Sequence, residues 1–361
     1  MQIVLVINSL QGGGAEKFVL TLGDALAALG HTVDVVYFEA TVEHTLSPNL
    51  RYHLLPFAKL SRSIPKPLRY RLFARQVDAL IGKLAADVVL VNLYRAYEVF
   101  LHSTLAARGV AVNVVLHNYL SIKLDWYKLP PKKQRYYRNV FTKYPTVAVS
   151  HGMAQDFKQL FASQQPITVI HNPTDPAELQ RLAAEFLPDL AQAYIVHVGS
   201  FKPQKNHALL LQAYAKSSRR YPLVLVGKGV LEGQIRAQIA KLGLQDHVIL
   251  AGFQPNPYPF VKNARGFVLS SDFEGMPIAL IEAVALGVPT ISTDCPSGPN
   301  EILPTHHLVP VGDCDALTAK LNALMDSPSD FIATFDTQFL PENVAQQYVD
   351  FAQHTARAQT F

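Results

Sequence analysis

The stretch Ser271-Asp-Phe-Glu-Gly-Met-Pro-Ile-Ala-Leu-Ile-Glu-Ala283 carries two carboxylates, Glu274 and Glu282, across a loop-to-helix junction. It follows a short apolar run, 266–270, that reads as a buried strand, and it precedes another at 288–291. The glutamates therefore belong to a strand–helix–strand unit, and ligands of such units collect where the strands end. Pro277 stands where a first-turn proline is tolerated, so Glu274 lies just before the helix and Glu282 inside it. Gly275 and Met276 fill the junction. The free N–H groups of the first turn, near Ile278 and Ala279, form a ready anion site. Two acids beside an anion site suit a sugar nucleotide, with carboxylates holding hydroxyls and amides holding phosphate. The plain alternative is an amphipathic helix with a solvated glutamate at each end.

Outward from this unit, apolar runs alternate with helical patterns. The first set is strand 3–7 with helix 15–29, strand 32–38, helix 68–84 with strand 88–91, strand 110–116, and strand 146–149 with helix 153–161. Residues 167–170 then lead into His171-Asn-Pro173. The pattern restarts at 194–198 and continues through helix 208–217, strand 223–226, helix 231–242, strand 248–250, the glutamate unit and helix 315–325. Alternation of this kind predicts parallel, doubly wound sheets. Two domains are expected, 1–173 and 194–341, joined by a connection at 174–193 in which Pro176 and Pro188 flank a helical stretch, with the final helical stretch 342–361 packing back on the first. A chain of 361 residues suits two such domains. Facing one another, they would leave a cleft between the strand ends.

Hydrophobic content of 49% and charged content of 17% describe a globular chain. No run approaches the roughly 20 apolar residues of a membrane span. The chain enters an apolar strand at once, without a basic leader, so a cytoplasmic location is expected. Cys295 and Cys314 lack metal-ligand spacing and read as structural thiols in a reducing compartment. The net charge of +4 is uneven. Residues 1–190 hold 20 Lys/Arg against 14 Asp/Glu, and the remainder 12 against 14. Two basic clusters interleave with large apolar residues: Lys59, Arg62, Lys66, Arg69, Arg71 and Arg75 within 59–75, and Lys123, Lys128, Lys132, Lys133, Arg135, Arg138 and Lys143 within 123–143. Such clusters fit docking on an anionic membrane surface, a phosphorylated acceptor or a nucleic-acid face, or are simply solvated. Of the partners, an anionic membrane surface is expected and nucleic acid is not.

Several further motifs sit after strands. Gly12, Gly13 and Gly14 form a strand–helix turn where the backbone can approach a ligand, without Gly-x-Gly-x-x-Gly spacing. In the second half, Val198-Gly-Ser-Phe-Lys-Pro-Gln-Lys-Asn206 offers Lys202 and Lys205 to neutralise a diphosphate. Gly227-Lys-Gly229 and the segment from Gly252 through Phe253 to Tyr258 can shape a slot for a base. His117 ends the strand at 112–116 and would look into the cleft; His151 and His171 are similarly placed. No Asp-x-Asp stretch is read as a divalent-metal site, so neither a metal nor a cofactor is expected.

Taken in order, the Gly12–Gly14 loop, His117, Ser150-His-Gly152, His171-Asn-Pro173, the Gly199 to Asn206 loop, the Glu274 to Glu282 unit and Cys295-Pro-Ser-Gly-Pro299 resemble the retaining glycosyltransferases of family 4, which have the GT-B fold. The resemblance covers nearly the whole chain. It implies an α/β GT-B architecture of two Rossmann-like domains, a nucleotide-diphosphate-sugar donor on the second domain and an acceptor on the first. It further implies that Glu282 holds the ribose hydroxyls, Glu274 contacts the donor sugar, Lys205 with nearby amides binds the diphosphate, and His117 approaches the donor sugar. Ser200 departs from the pattern, since many members have arginine directly after that glycine. Lys202 is the residue expected to compensate. The run from Tyr258-Pro-Phe260 through Cys295-Pro-Ser-Gly-Pro-Asn-Glu301 resembles the bacterial subset that builds surface or lipid-linked glycans from UDP-sugars. A sugar-nucleotide epimerase of the same fold and a non-enzymatic anionic-surface module are the competing readings.

Overall fold

A computed structural model describes residues 1–57, 64–161 and 166–359, with 357–359 described by backbone alone. The chain forms two compact units: Met1–Pro173 together with Gln338–Phe361, and Thr174–Thr337. In the first unit, β1 (Gln2–Ile7), β2 (Thr32–Tyr37), β3 (Arg51–Leu54), β4 (Val88–Asn92), β5 (Ala111–Leu116), β6 (Thr146–Ala148) and β7 (Ile167–Val169) make one sheet in the order β3-β2-β1-β4-β5-β6-β7. In the second, β8 (Ile195–Val198), β9 (Leu223–Val226), β10 (Val248–Gly252), β11 (Gly266–Leu269), β12 (Thr290–Thr293) and β13 (Leu308–Val309) are ordered β10-β9-β8-β11-β12-β13. Adjacent strands run parallel throughout both sheets.

Helices cover both faces of a parallel sheet, so its inner strands are apolar end to end instead of alternating. Val4, Leu5, Val6 and Ile7 of β1 are fully buried, as are all four residues of β9 and β11 to within a few per cent. Helix Gly14–Ala28 buries Phe18, Val19, Leu22 and Leu26. Each such side chain contributes about 1.5–3 kcal/mol on leaving water. The terminal helix Pro341–Gln359 lies against helix Gly14–Ala28 and β5, with Tyr348 near Phe18 at 5.9 Å between ring centroids.

Several features differ from the sequence expectation, among them strand β13 and helices Tyr94–Phe100 and Tyr258–Lys262, for which no element was expected. Strand β3 was not foreseen, because Arg-Tyr-His-Leu lacks an apolar run. It is held instead by buried Asp34 of β2, whose carboxylate accepts from Arg51 at 2.6 Å and contacts His53 at 2.7 Å. The segment 174–193, expected as a connection with a helical stretch, does hold helix Pro176–Ala183, but its Leu179 and Ala183 are buried in the second unit's core with Tyr258 and Val261. Residues 131–141, left without an element in the sequence reading, form helix Pro131–Phe141. Among the described residues, no helix is long and apolar enough to cross a membrane.

Candidate active site

The second sheet reverses its winding between β8 and β11, which are neighbours although their connections run to opposite sides. The loops leaving these two strands cannot cross over one another, so they diverge and open a crevice at the carboxyl ends. Here the loop after β8 meets the loop after β11. The Gln204 amide donates to the Phe273 carbonyl at 2.9 Å and to Glu274 Oε2 at 3.0 Å. Lys205 Nζ donates to Glu274 Oε1 at 2.7 Å, and the Ser271 hydroxyl donates to the same oxygen at 2.6 Å. Asn206, at φ +43°, bonds Asp272 through its amide and caps the next helix through its oxygen on Leu209 N–H. The two loops are thus laced together by side chains some 65–70 residues apart in sequence.

Glu274 is 5% exposed and Glu282 6%. They are not the solvated ends of an amphipathic helix: each charge is held by named donors, as burial of a carboxylate requires. Glu282 lies in helix Ile278–Ala285 and accepts from the Tyr258 hydroxyl at 3.0 Å. Pro277 is the residue preceding that helix, and no side chain caps its first turn. Gly275 and Met276 are buried; Ile278 is half-buried. The approach to the helix is fixed by Ser297, whose hydroxyl donates to the Gly275 carbonyl at 2.7 Å, and by Gly298 at φ +97°. A Cβ on Gly298 would lie 2.4 Å from Pro277 Cδ.

Three glycine-bearing loops after β8, β9 and β10 are zipped together beside this crevice. Gly199 N–H donates to Val226 O, Gly227 N–H to Gly252 O and Phe201 N–H to Lys228 O. Gly227 adopts φ +150°, and a Cβ there would sit 2.1 Å from the Gly199 carbonyl oxygen, so the close approach demands glycine. Phe253 is 39% exposed, with Lys228 Nζ 4.2 Å above its ring. Beneath the β8 loop lies a buried imidazole pair, His197 and His207, 4.7 Å between centroids. His197 Nδ1 donates to Val268 O at 2.9 Å. Burial, with the Lys205 charge nearby, pushes His207 down to about 4, and burial pushes His197 down as well. Burial, reinforced by the Glu274 carboxylate, likewise raises the Cys295 thiol to about 12.

Of the two lysines proposed for phosphate, only Lys205 reaches the carboxylate network. Lys202 is exposed and forms no ion pair among the described residues, while Ser200 is half-buried in the same loop. The one Asp-x-Asp spacing, Asp313-Cys-Asp315, is not a metal cluster. Asp313 caps helix Cys314–Asp326 on Ala316 N–H, and Asp315 pairs with Lys216. Sequence reasoning gave no role to Gln204, Ser271 or Ser297, and it placed Tyr258 at a slot for a base without its hydrogen bond to Glu282. The signal available was their placement beside the motif residues, but a serine or tyrosine carries no signature until its partner is known.

In the first unit, winding reverses between β1 and β4, and the residues that follow these strands meet. Asn8 Oδ1 accepts from Ala96 N–H, and Asn92 donates to Val6 O and Leu90 O, which turns its Oδ1 toward His117 Nε2 at 2.8 Å. His117 therefore donates from Nε2. Burial beside Phe18 lowers its pKa to about 3, so it is a neutral hydrogen-bonding group. Gly13 precedes helix Gly14–Ala28, but the expected open cradle is occupied by acids: Gly12 N–H donates to Glu43 at 3.0 Å, and Glu16 lies where a Gly13 Cβ would point. His151 and His171 stack edge to face at 5.8 Å.

The basic clusters are only partly free surface. Lys59 and Arg62 lie outside the described residues. Lys66 pairs with Glu98 at 3.2 Å and Arg69 lies over the Phe57 ring, while Lys143 donates to the carbonyls of Phe100, Leu101 and Ser103 at the end of a helix. These three cations serve the fold.

Residues 180–335 match the model for glycosyl transferases group 1, and residues 12–178 match that for glycosyltransferase family 4. Together the two cover both units. The chain is a family 4 type glycosyltransferase. Among its relatives, the N-acetylgalactosamine-N,N'-diacetylbacillosaminyl-diphospho-undecaprenol 4-alpha-N-acetylgalactosaminyltransferase of Campylobacter jejuni is 29% identical over 309 residues, covering 82% of each chain. The lipopolysaccharide 1,6-galactosyltransferase of Salmonella typhimurium is 30% identical over 166 residues, 44% of this chain and 45% of that one. Anabaena Alr3699/HepE, solved in complex with UDP and glucose, superposes with a TM-score of 0.71 at 18% identity over 99% of each chain. The transferase thus has the GT-B fold.

Proposed function

We propose that this transferase moves a hexosyl or N-acetylhexosaminyl group from a UDP-sugar to a saccharide acceptor, with retention and without a divalent metal, in the synthesis of lipopolysaccharide or a lipid-linked glycan. The observation that carries the reading is the buried Lys205–Glu274 pair at the crossover of the second sheet, one helix start away from Glu282. An electrostatic preorganisation of this kind suits a reaction in which negative charge develops on a leaving diphosphate. Lys205 and the uncapped amides of helix Ile278–Ala285 would take the phosphates, and Glu282, oriented by Tyr258, would accept from the ribose hydroxyls. Glu274, freed from part of its network as Lys205 turns to phosphate, would accept from a hydroxyl of the donor sugar.

In the transfer step the bond from the anomeric carbon to the diphosphate oxygen breaks as the acceptor oxygen bonds the same face of that carbon. The leaving phosphate oxygen takes the acceptor proton, so no separate base is required. A covalent route through Glu274 would require its carboxylate on the face of the anomeric carbon opposite the leaving diphosphate, a requirement the direct route does not impose. Support for the donor and acceptor classes comes from the UDP complex of the Anabaena neighbour and from the names of the Campylobacter and Salmonella relatives. The test is thermal stabilisation of the protein by UDP-, GDP- and ADP-sugars with and without EDTA, followed by the anomeric configuration of the product. Selective stabilisation by one UDP-sugar that EDTA leaves unchanged, and an α-linked product from an α-linked donor, are expected. No shift with any nucleotide would refute the assignment.

A further inference from the structure

The sheet of the second unit parts at its crossover. β8 pairs with β11 only at Ile195↔Gly266 and Val196↔Phe267, whereas β8 stays paired with β9 as far as Val198 and β11 with β12 as far as Leu269. His197 and Val268 are the first residues past this fork, and a side chain joins them: His197 Nδ1 donates to the Val268 carbonyl at 2.9 Å. Further out, the Ser270 hydroxyl donates to Lys205 O at 2.8 Å, Asp272 N–H donates to Gln204 O at 2.9 Å, and Lys205 Nζ reaches Glu274. The imidazole bond is the root of a series of ties that hold loop 199–206 on loop 270–274.

Because Nδ1 donates and burial keeps the ring neutral, Nε2 is a bare lone pair. It is fully buried and has no partner among the described residues. Its surroundings are specific. A Cβ on Gly199 would lie 3.1 Å from Nε2 and 3.3 and 3.4 Å from Cε and Cδ of Lys205, so the ring edge and the lysine stem flank the same glycine. His207 backs the ring at 4.7 Å between centroids, and neither of its nitrogens has a partner among the described residues. Unpartnered nitrogens in a dry core cost stability that a leucine would not. An apolar pair would fold at less cost, so the reason for the imidazoles lies in the loop they carry.

We infer that His197 is a positioning residue for donor binding: its Nδ1 bond sets the separation of the two crevice loops, and its Nε2 edge sets the course of Lys205 toward the donor diphosphate. The inference rests on the phosphate role proposed for Lys205 and names what aims that lysine. His197 acts through Lys205, not on the substrate.

Calorimetry of the full chain with UDP, uridine and inorganic pyrophosphate tests it. Asparagine carries its amide nitrogen at the Nδ1 position and glutamine at the Nε2 position, so His197→Asn keeps the Val268 bond and His197→Gln does not. Affinity for UDP and for pyrophosphate should fall at least 10-fold in His197→Gln and His197→Leu but less than 3-fold in His197→Asn, with uridine affinity unchanged throughout. A ring that merely props the fold would weaken uridine and UDP alike. On a Lys205→Met background, His197→Leu should change UDP affinity less than 2-fold. Melting without nucleotide reads the same link: His197→Gln should lower the melting temperature of Lys205→Met by less than half as much as it lowers that of the wild type. A wild type that bound neither UDP nor pyrophosphate would strike the donor assignment, while the melting cycle would still decide this one. Equal losses in His197→Asn and His197→Gln, parallel loss of uridine and UDP, or additive melting shifts would overturn the inference.

Discussion

Lys205→Met removes the cation from the pair that joins the two crossover loops of the second unit. Lys205 and Glu274 side chains are 15% and 7% exposed, so the variant strands a carboxylate that solvent reaches poorly. Breaking a buried pair from one side costs about 3–5 kcal/mol. Ser271 and Gln204 continue to donate to Glu274, which brings the expected loss to about 1–3 kcal/mol, each donor being worth roughly 1 kcal/mol. For a domain of this size that corresponds to a fall of about 2–12 °C in the melting temperature of the second unit. The donor arm is separate. A charge-assisted bond to phosphate is worth about 1.5–3 kcal/mol, so the affinity for UDP should drop roughly 10- to 150-fold. At a UDP concentration near 100 Kd for the wild type, where stabilisation is about 2.7 kcal/mol, the variant should gain only about 0.3–1.3 kcal/mol. Scanning calorimetry with and without UDP reads both arms. Glu274→Gln, which leaves Lys205 a path to solvent, should cost less stability, and the double variant should regain part of what Lys205→Met loses. A Lys205→Met protein that melts within 1 °C of wild type and binds UDP equally would refute both the energetic argument and the phosphate role.

Other consequences are open to direct measurement. Glu282→Ala should weaken UDP binding about 10-fold or more by calorimetry, whereas Tyr258→Phe, which only loosens the carboxylate, should weaken it a few-fold. Gly298→Ala forces a Cβ onto Pro277 at a positive φ and should destabilise the second unit by at least 2 kcal/mol in urea titration while abolishing donor stabilisation. His117 has its pKa lowered to about 3 in the fold, so above about pH 6.5 both states hold it neutral and its contribution is complete. As pH falls from 6.5 toward 3 the unfolded state binds the proton first, and stability declines by up to about 1.4 kcal/mol per pH unit. His117→Gln should flatten the acid limb of the first unit's unfolding curve, and an unchanged limb would contradict the buried neutral imidazole. EDTA at saturating UDP-sugar should leave the transfer rate unaltered.

The alternation of apolar runs with helical patterns located most strands of both sheets, and the Glu274–Glu282 spacing located the crevice. Both are local consequences of one requirement: a parallel strand buried on two faces must be apolar throughout, and the loop at its carboxyl end must carry the polar chemistry. Strand β3 escaped because its pairing depends on Asp34, Arg51 and His53 meeting across two strands, not on its own hydrophobicity. The Gly12–Gly14 turn looked like an open anion cradle until the fold brought Glu43 to its amide. In the same way the composition of the basic clusters could not distinguish Lys143, spent on three carbonyls, from Arg135, which faces a concavity. Apolar periodicity was enough to specify the layered α/β architecture and to single out the two acids. The tertiary structure alone decided which donors hold those acids, because Lys205 and Glu274 are 69 residues apart in the chain. Only the crossover of β8 and β11 makes them neighbours, and a carboxylate's chemistry is set by its neighbours in space.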